Sequence, residues 1–185
     1  MNDFEFILQD AGKDVKINEV EKRVLLTNRT ISNYEEKNIH SIEEIKRGDI
    51  VEVDNNKYLI ISDTSTKRYG KYKAIMRRCN ETLPLEKCEE VQIGVDPVYG
   101  TPIYDTLCSM SGSLPCIVDT NLFSVSTNQA INVPQDEIIV TIQDNESNRT
   151  VYDLASKIEL YGHSWQIQGV DLTKNGIMNL HCKYN

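Results

Sequence analysis

The sequence has no run of eighteen apolar residues, and no basic stretch leads into an apolar one near its start. The first absence excludes a membrane-spanning helix. The second leaves no sign of a secretory leader, so a soluble chain is expected. Basic residues are also short: 20 lysines and arginines stand against 28 acids, for a net charge of −8. A broad nucleic-acid footprint needs a basic face to displace counterions, and this balance argues against one. Cysteine occurs five times, at 79, 88, 108, 116 and 182, an odd number with no C-x-x-C pair. Free thiols in a reducing compartment follow as the plain reading. A long-spaced zinc site from Cys79, Cys88, Cys108 and Cys116 has nothing in its spacing to favour it.

Catalytic signatures are missing too. There is no G-x-S-x-G, H-E-x-x-H, phosphate-binding glycine loop or calcium-loop pattern. His40 lies in a polar segment, His163 in an expected turn, and His181 beside Cys182 on an expected strand. Alternation puts that His and Cys on opposite faces, so they form no local nucleophile–base pair. Asp49, Asp54 and Asp63 read as turn residues beside strands rather than as a cation site. The expectation is a protein that is not an enzyme and carries no cofactor and no metal.

What the sequence does hold is strand. Its apolar content of 39% and its nine glycines are ordinary for a globular chain, and 185 residues suffice for one generous domain or two small ones. The organising stretch is Arg47 to Asn80. Gly48-Asp49 turns the chain into Ile50-Val51-Glu52-Val53, where β-branched residues dominate. Asp54-Asn55-Asn56 tolerates positive φ and suits a tight hairpin turn. Tyr58-Leu59-Ile60-Ile61 reads as a strand covered on both faces, and Lys73 to Cys79 as a third strand of one meander.

Around that meander, Phe4 to Leu8, Val15 to Ile17 and Val24 to Leu26 read as early strands, with Asn18-Glu19 as a turn. Ser41-Ile42-Glu43-Glu44 has the form of a capping box and predicts one helical turn packed across an end of the sheet. Residues 84–114 contain Pro84, Gly94, Pro97, Gly100, Pro102 and Gly112 and read as a long irregular loop. Cys116-Ile117-Val118 and Leu122 to Val125 read as strands returning to the first sheet. Asn128 to Pro134 reads as a linker. Beyond it, Glu137 to Ile142, Trp165 to Val170 and Ile177 to Lys183 read as strands, the segment from Val151 to Ile158 is ambiguous, and Trp165 is the expected core residue. The fold class is therefore all-β: an SH3-like or other antiparallel β-barrel over residues 1–128, and a small Ig-like or similar β module over 129–185.

Charge is segregated along the chain. Lys67, Arg68, Lys71, Lys73, Arg77 and Arg78 place six cations within twelve residues, whereas 81–119 holds seven acids and only Lys87. Two solvated faces would explain this. So would complementary surfaces on neighbouring copies, which favour head-to-tail rings. On the second reading Lys67, Arg68, Tyr69, Lys71, Tyr72, Lys73, Met76, Arg77 and Arg78 meet Glu86, Glu89 and Glu90 of a neighbour.

The run Arg47-Gly48-Asp49-Ile50-Val51, then Lys57 to Ser62, then Lys73 to Asn80 resembles the barrel of head–tail connector proteins of tailed phages and prophages. These are the head-closure or neck proteins, often from Gram-positive hosts. The segments Trp165 to Asp171 and Asn175-Gly176-Ile177 resemble the small β module that trails this barrel in some of them. The resemblance implies a homo-oligomeric ring, hexameric or dodecameric, seated in the virion neck between portal or adaptor and tail. It also implies assembly in the host cytoplasm, help in retaining packaged DNA, passing contact with that DNA, and no membrane partner. A tail-completion or tail-terminator subunit would use a similar barrel, and a monomeric β module binding a host protein is the other alternative.

The cysteine reading yields a first prediction. Protein purified without added metal should hold no zinc and five free thiols by titration under denaturing conditions. Stoichiometric zinc, lost together with the fold on chelation, would refute it.

Overall fold

The computed structural model describes residues 3–30, 34–67, 70–120 and 137–184, without the side chains of 67, 86–89 and 106–111. Helix α1 (Asp3–Ala11) stands where a strand was expected over Phe4 to Leu8. Asp3 and Glu5 suit the positive end of a first helical turn, and Phe4 and Leu8, four apart, are the buried pair. Arg23 closes the other end, its guanidinium donating to the Leu8 carbonyl at 2.8 Å and to the Gln9 carbonyl at 3.1 Å. The Leu8 carbonyl also accepts from the Gly12 amide at 3.0 Å, and Arg23 adds a side-chain donor to the last turn, where carbonyls run out of helical partners. The local alternation of Phe4, Phe6 and Leu8 could not show a cap supplied from a later strand.

The first barrel is built from β1 (Lys13–Ile17), β2 (Val20–Asn28), β3 (Glu36–Ser41), β4 (Ile50–Val53), β5 (Asn56–Ile60), β6 (Ser65–Lys67) and β7 (Lys71–Arg78). Their order is β3-β2-β1-β4-β5-β7-β6, and pairing of β3 with β7 closes the sheet on itself. The meander expected over 50–80 is present as β4, β5 and β7, antiparallel throughout. Its first turn is the expected one: Asp54 and Asn55 both have positive φ, 49° and 64°, as a two-residue hairpin of this hand requires. Asn18 and Glu19 repeat that geometry between β1 and β2, with φ of 47° and 70°.

No helical turn forms at the expected capping box. Ser41 is the last residue of β3, and its hydroxyl accepts from the Glu43 amide at 3.0 Å rather than from Glu44. Strand pairing of Ser41 with Tyr72 holds it in extended backbone. Ile45 is nevertheless buried in the barrel core.

The second sheet is formed by β8 (Glu81–Val95), β9 (Pro102–Thr120), β10 (Glu137–Gln143), β11 (Lys157–Leu160), β12 (His163–Asp171) and β13 (Ile177–Tyr184), with the short helix α2 (Glu146–Val151) between β10 and β11. Its order is β11-β12-β13-β10-β9-β8, curled into a nearly closed second barrel. The core is a single cluster with Leu83, Val140, Trp165, Ile167, Met178 and Leu180 in it. Trp165 is buried there as expected, and its indole N–H donates to the Leu160 carbonyl at 3.1 Å. Cys116 to Val118 joins this sheet and not the first, because Ile117 and Val118 pair with Thr141 and Val140 of β10. The sheet takes strands from both sides of residues 121–136. The expected boundary at 128, the linker Asn128 to Pro134 and the strand over Leu122 to Val125 all fall outside the described residues.

Residues 84–114, expected to be irregular, are a long antiparallel ribbon of β8 and β9. Its prolines and glycines do not break the ribbon. Pro102 opens β9, Gly94 lies beside a shift of register, and Gly112 lies beside another where the ribbon leaves the barrel.

The barrels meet along β5. Tyr58 and Ile60 point into the first core, while Leu59, between them, packs with Ile117 and Ile177 of the second sheet. Tyr58, Leu59 and Ile60 are all buried, as the apolar run predicts. Alongside, Gly48 (φ 91°) and Gly176 (φ 90°) bring their backbones into direct contact. A Cβ on Gly48 would lie 1.7 Å from the Gly176 carbonyl oxygen.

Gly48→Ala therefore meets both a forbidden contact and a left-handed φ. It should cost about 2 kcal/mol or more, a fall of roughly 4–8 °C in melting midpoint for a chain of this size. Gly112, with nothing within 4 Å of a built Cβ, is the control. Gly112→Ala should shift the midpoint by no more than about 2 °C. Equal midpoints for the two variants would mean that the barrels do not touch in solution.

Candidate interaction surface

Strand β7 distributes the basic segment by strict alternation. Ala74 and Met76 enter the barrel core, leaving Lys73, Ile75 and Arg77 on the outer face. Met76 is fully buried and so offers nothing to a partner. Tyr72 is half-buried against the same core. Lys67 pairs by backbone with Lys71, while Arg68 and Tyr69 lie outside the described residues. The Lys71 ammonium sits 4.4 Å from the centre of the Phe4 ring.

The two arginines are held within the chain. Arg77 makes a two-pronged pair with Asp119 of β9, 2.7 Å for Nη1 to Oδ2, and its guanidinium stacks 3.6 Å from the Tyr34 ring centre. Arg78 donates to Glu35 at 2.9 Å, and the Tyr58 hydroxyl donates to the same carboxylate at 2.6 Å. The acids of 81–119 thus do face the basic strand through Asp119, but in the same copy. Glu86 and Glu89 belong to the ribbon by backbone register, and Glu90 is exposed on it. Arg77 has an acid partner on this face, whereas among the described residues Lys71 and Lys73 have none. The strand neighbour of Lys73 is His40.

These pairings order the local electrostatics. The Tyr58 hydroxyl, then Arg78, hold Glu35 below the usual carboxylate range. A carboxylate depressed in the folded state stabilises the fold above its unfolded pKa, and that contribution is lost as pH falls through the folded value. His40 is pushed down, first by burial and then by Lys73, so it stays neutral on this face at neutral pH. Between the barrels lies an open depression of about 600 Å³, lined by Tyr34, Glu35, Arg77, Arg78, Cys79, Asn80 and Asp119 among others. Asn80 bridges its floor, accepting from the Val118 amide at 2.8 Å and donating to the Val118 carbonyl at 2.9 Å.

The other groups weighed for chemistry are dispersed. His163 stacks edge-on with Tyr184 at 5.3 Å, and His181 lies over Gly169. His181 is exposed and Cys182 buried, on opposite faces of β13. Burial pushes the thiols of Cys79, Cys116 and Cys182 up to about 12, so all three are protonated at neutral pH. Among the described residues, no three His, Cys, Asp or Glu side chains are grouped to hold a metal. No described helix is long and apolar enough to cross a membrane.

A second surface lies within 84–114, the stretch that the resemblance gave a part in contacts with neighbours, and sequence reasoning missed its form as a hairpin. Every described residue from Glu90 to Asp105 is exposed or half-exposed, on both faces of the ribbon. At its tip Val98 and Tyr99 are 78% and 81% exposed. Alternating Val91, Ile93 and Val95 followed by Asp96-Pro97 and Gly100 carried the hairpin signal, which the prolines and glycines obscured.

Two family models match the chain: the YomX N-terminal domain over residues 1–78 and the YomX C-terminal domain over residues 91–183. Among curated proteins it is similar to the SPbeta prophage-derived uncharacterized protein YomX of Bacillus subtilis strain 168. Identity is 24% over 167 residues, covering 88% of this chain and 76% of that protein. No solved structure matches significantly.

Because Arg77 is shared by both barrels, Arg77→Glu should destabilise the monomer by about 2 kcal/mol. Adding Asp119→Arg should recover more than half of that loss. Lys73→Glu should change stability by no more than about 0.5 kcal/mol. Chemical denaturation checks all three, and unchanged stability of the Arg77→Glu chain would place that side chain in solvent.

Proposed function

The chain belongs to the YomX family, and we propose that it is a structural subunit of a prophage-encoded particle, forming a ring in the neck between portal or adaptor and tail. The observation that carries this reading is the ribbon. A monomer gains nothing from some fifteen residues held away from its body with large apolar side chains in water, whereas an assembly subunit does. Three features support it. The similar protein bears a prophage-derived name. The body is two barrels locked by buried apolar contacts and touching backbones, suited to bearing load. The net charge of −8 lets packaged DNA pass a channel without being gripped, in keeping with a part in retaining it by closure. In this reading the chain performs no catalysis and needs no cofactor. Its location is the virion, after assembly in the host cytoplasm.

Deleting the gene from its prophage and inducing the lysogen tests the proposal. Electron microscopy should show untailed heads, many of them emptied of DNA. Wild-type particles should contain the chain in multiple copies by quantitative mass spectrometry. Tailed, DNA-filled particles at the wild-type level, or particles without the chain, would sink the reading.

A further inference from the structure

The outer part of the ribbon has no second layer. Past Leu85 and Gly112, where it leaves the barrel, β8 and β9 pair only with each other, because β9 meets β10 only from Ile117 onward and β8 is the last strand of its sheet. A two-stranded ribbon alone in water is marginally stable. The described residues from Glu90 to Asp105 are all exposed or half-exposed, so burial does little to hold these strands together.

Register sets Cys88 of β8 directly opposite Cys108 of β9, inside an unbroken run of pairs from Glu86 with Met110 to Gln92 with Tyr104. The type of pair follows from the tip. There the Asp96 amide donates to the Thr101 carbonyl at 2.8 Å, so Thr101 turns its backbone groups toward β8. In an antiparallel strand every second residue does the same, and β9 has no extra residue between Pro102 and Met110. Positions 103, 105, 107 and 109 therefore bond to β8, and Cys108 does not. Two observations agree with this phase. Pro102, which has no N–H to give, falls on the outward set. One extra residue between Met110 and Gly112 then shifts the phase by one, and Val118 turns toward the start of β8, where its amide and carbonyl meet the Asn80 side chain at 2.8 and 2.9 Å. Directly opposed residues at such a non-hydrogen-bonded site have Cα atoms about 4.5 Å apart, inside the roughly 4.4–6.8 Å that a disulfide spans. No other two cysteines stand opposite each other in the described strands.

We propose that Cys88 and Cys108 are a redox site, closing to a disulfide that staples the ribbon between barrel and tip when the chain meets a small-molecule disulfide. One protein thiolate attacks a sulfur of the oxidant, whose S–S bond breaks and releases one small thiol. The second protein thiolate attacks the protein sulfur of that mixed disulfide, forming the Cys88–Cys108 bond and releasing the other small thiol. The protein gives up two protons and two electrons, and the oxidant takes up both. In a reducing compartment the pair stays open, in keeping with free thiols there. The other three cysteines take no part. Cys79, Cys116 and Cys182 are free, and burial pushes their thiols up to about 12, which leaves too little thiolate to react. The closed loop contains the exposed Val98 and Tyr99 and limits how far the strands beneath them can part. The staple needs only the register of the ribbon, and so holds for a monomer and a ring alike.

Full-length chain is reduced, freed of reductant and incubated with oxidised glutathione. Thiols titrated under denaturing conditions should fall from five to three, the two lost being Cys88 and Cys108. The intact mass should drop by about 2 Da, the two hydrogens given up. Peptide mapping should find Cys88 joined to Cys108, and chymotrypsin cleavage after Tyr99 should leave the two pieces linked until dithiothreitol is added. Amide exchange between the pair and the tip should slow about tenfold or more on oxidation. The Cys88→Ser chain, with the melting midpoint of reduced wild type, should form no internal bond and instead add one glutathione at Cys108. A count that stays at five, glutathione added at both positions with no bond between them, a bond to another cysteine, a covalent dimer, or a bond that leaves exchange unchanged overturns the inference.

Discussion

The structure depends on Leu59 being covered. A strand at the wall of a small barrel ordinarily shows one face to water, and over Tyr58–Ile60 β5 shows neither. Its inner side chains, Tyr58 and Ile60, complete the first core, and Leu59 fills the seam with Ile117 and Ile177. Full burial of a side chain of this size is worth about 1.5–3 kcal/mol relative to exposure. The three together therefore hold the barrels more firmly than the polar contacts at the rim. The seam also explains the two glycines beside it. Backbones can approach this closely only where neither residue has a Cβ, so Gly48 and Gly176 let the apolar side chains of the seam reach one another.

Much of the fold was legible because it is written in short range. The paired positive φ at Asp54-Asn55 and Asn18-Glu19, the strand alternation around Trp165, and the doubly buried run at 58–61 are each decided by a few neighbouring residues. The misreadings share a cause. Phe4 to Leu8 forms a helix capped by Arg23, a residue of another element. Ser41 stays extended through its pairing with Tyr72. The ribbon over 84–114 is held by pairing across a tip, with its prolines and glycines at ends and register shifts, which composition alone reads as disorder of pattern.

The same limit governed the candidate surface. The opposition of the basic strand to the acidic stretch was visible in the order of charges, but which acid would meet which base was not. Asp119 finds Arg77 because β9 leaves the ribbon and runs alongside the first barrel. Glu35 finds Arg78 because β3 closes against β7. Once these internal pairs are made, Arg77 and Arg78 of the apparent basic patch are spent on the monomer. Linear charge runs overstate the charge available to a partner for this reason: folding consumes it first.

Strand β9 has a mechanical meaning. It is one unbranched element of 19 residues, from beside the ribbon tip at Pro102 to the residue after Asp119. At about 3.3 Å per residue such a strand spans roughly 60 Å. Its body end is gripped by an ion pair and a hydrophobic seam, and its far end is exposed. Any angular play at the grip appears at the tip multiplied by that length. The accuracy with which the tip can be aimed is therefore set some tens of ångströms away, at Asp119 and Ile117, and softening the seam would blur the tip without altering a single residue there.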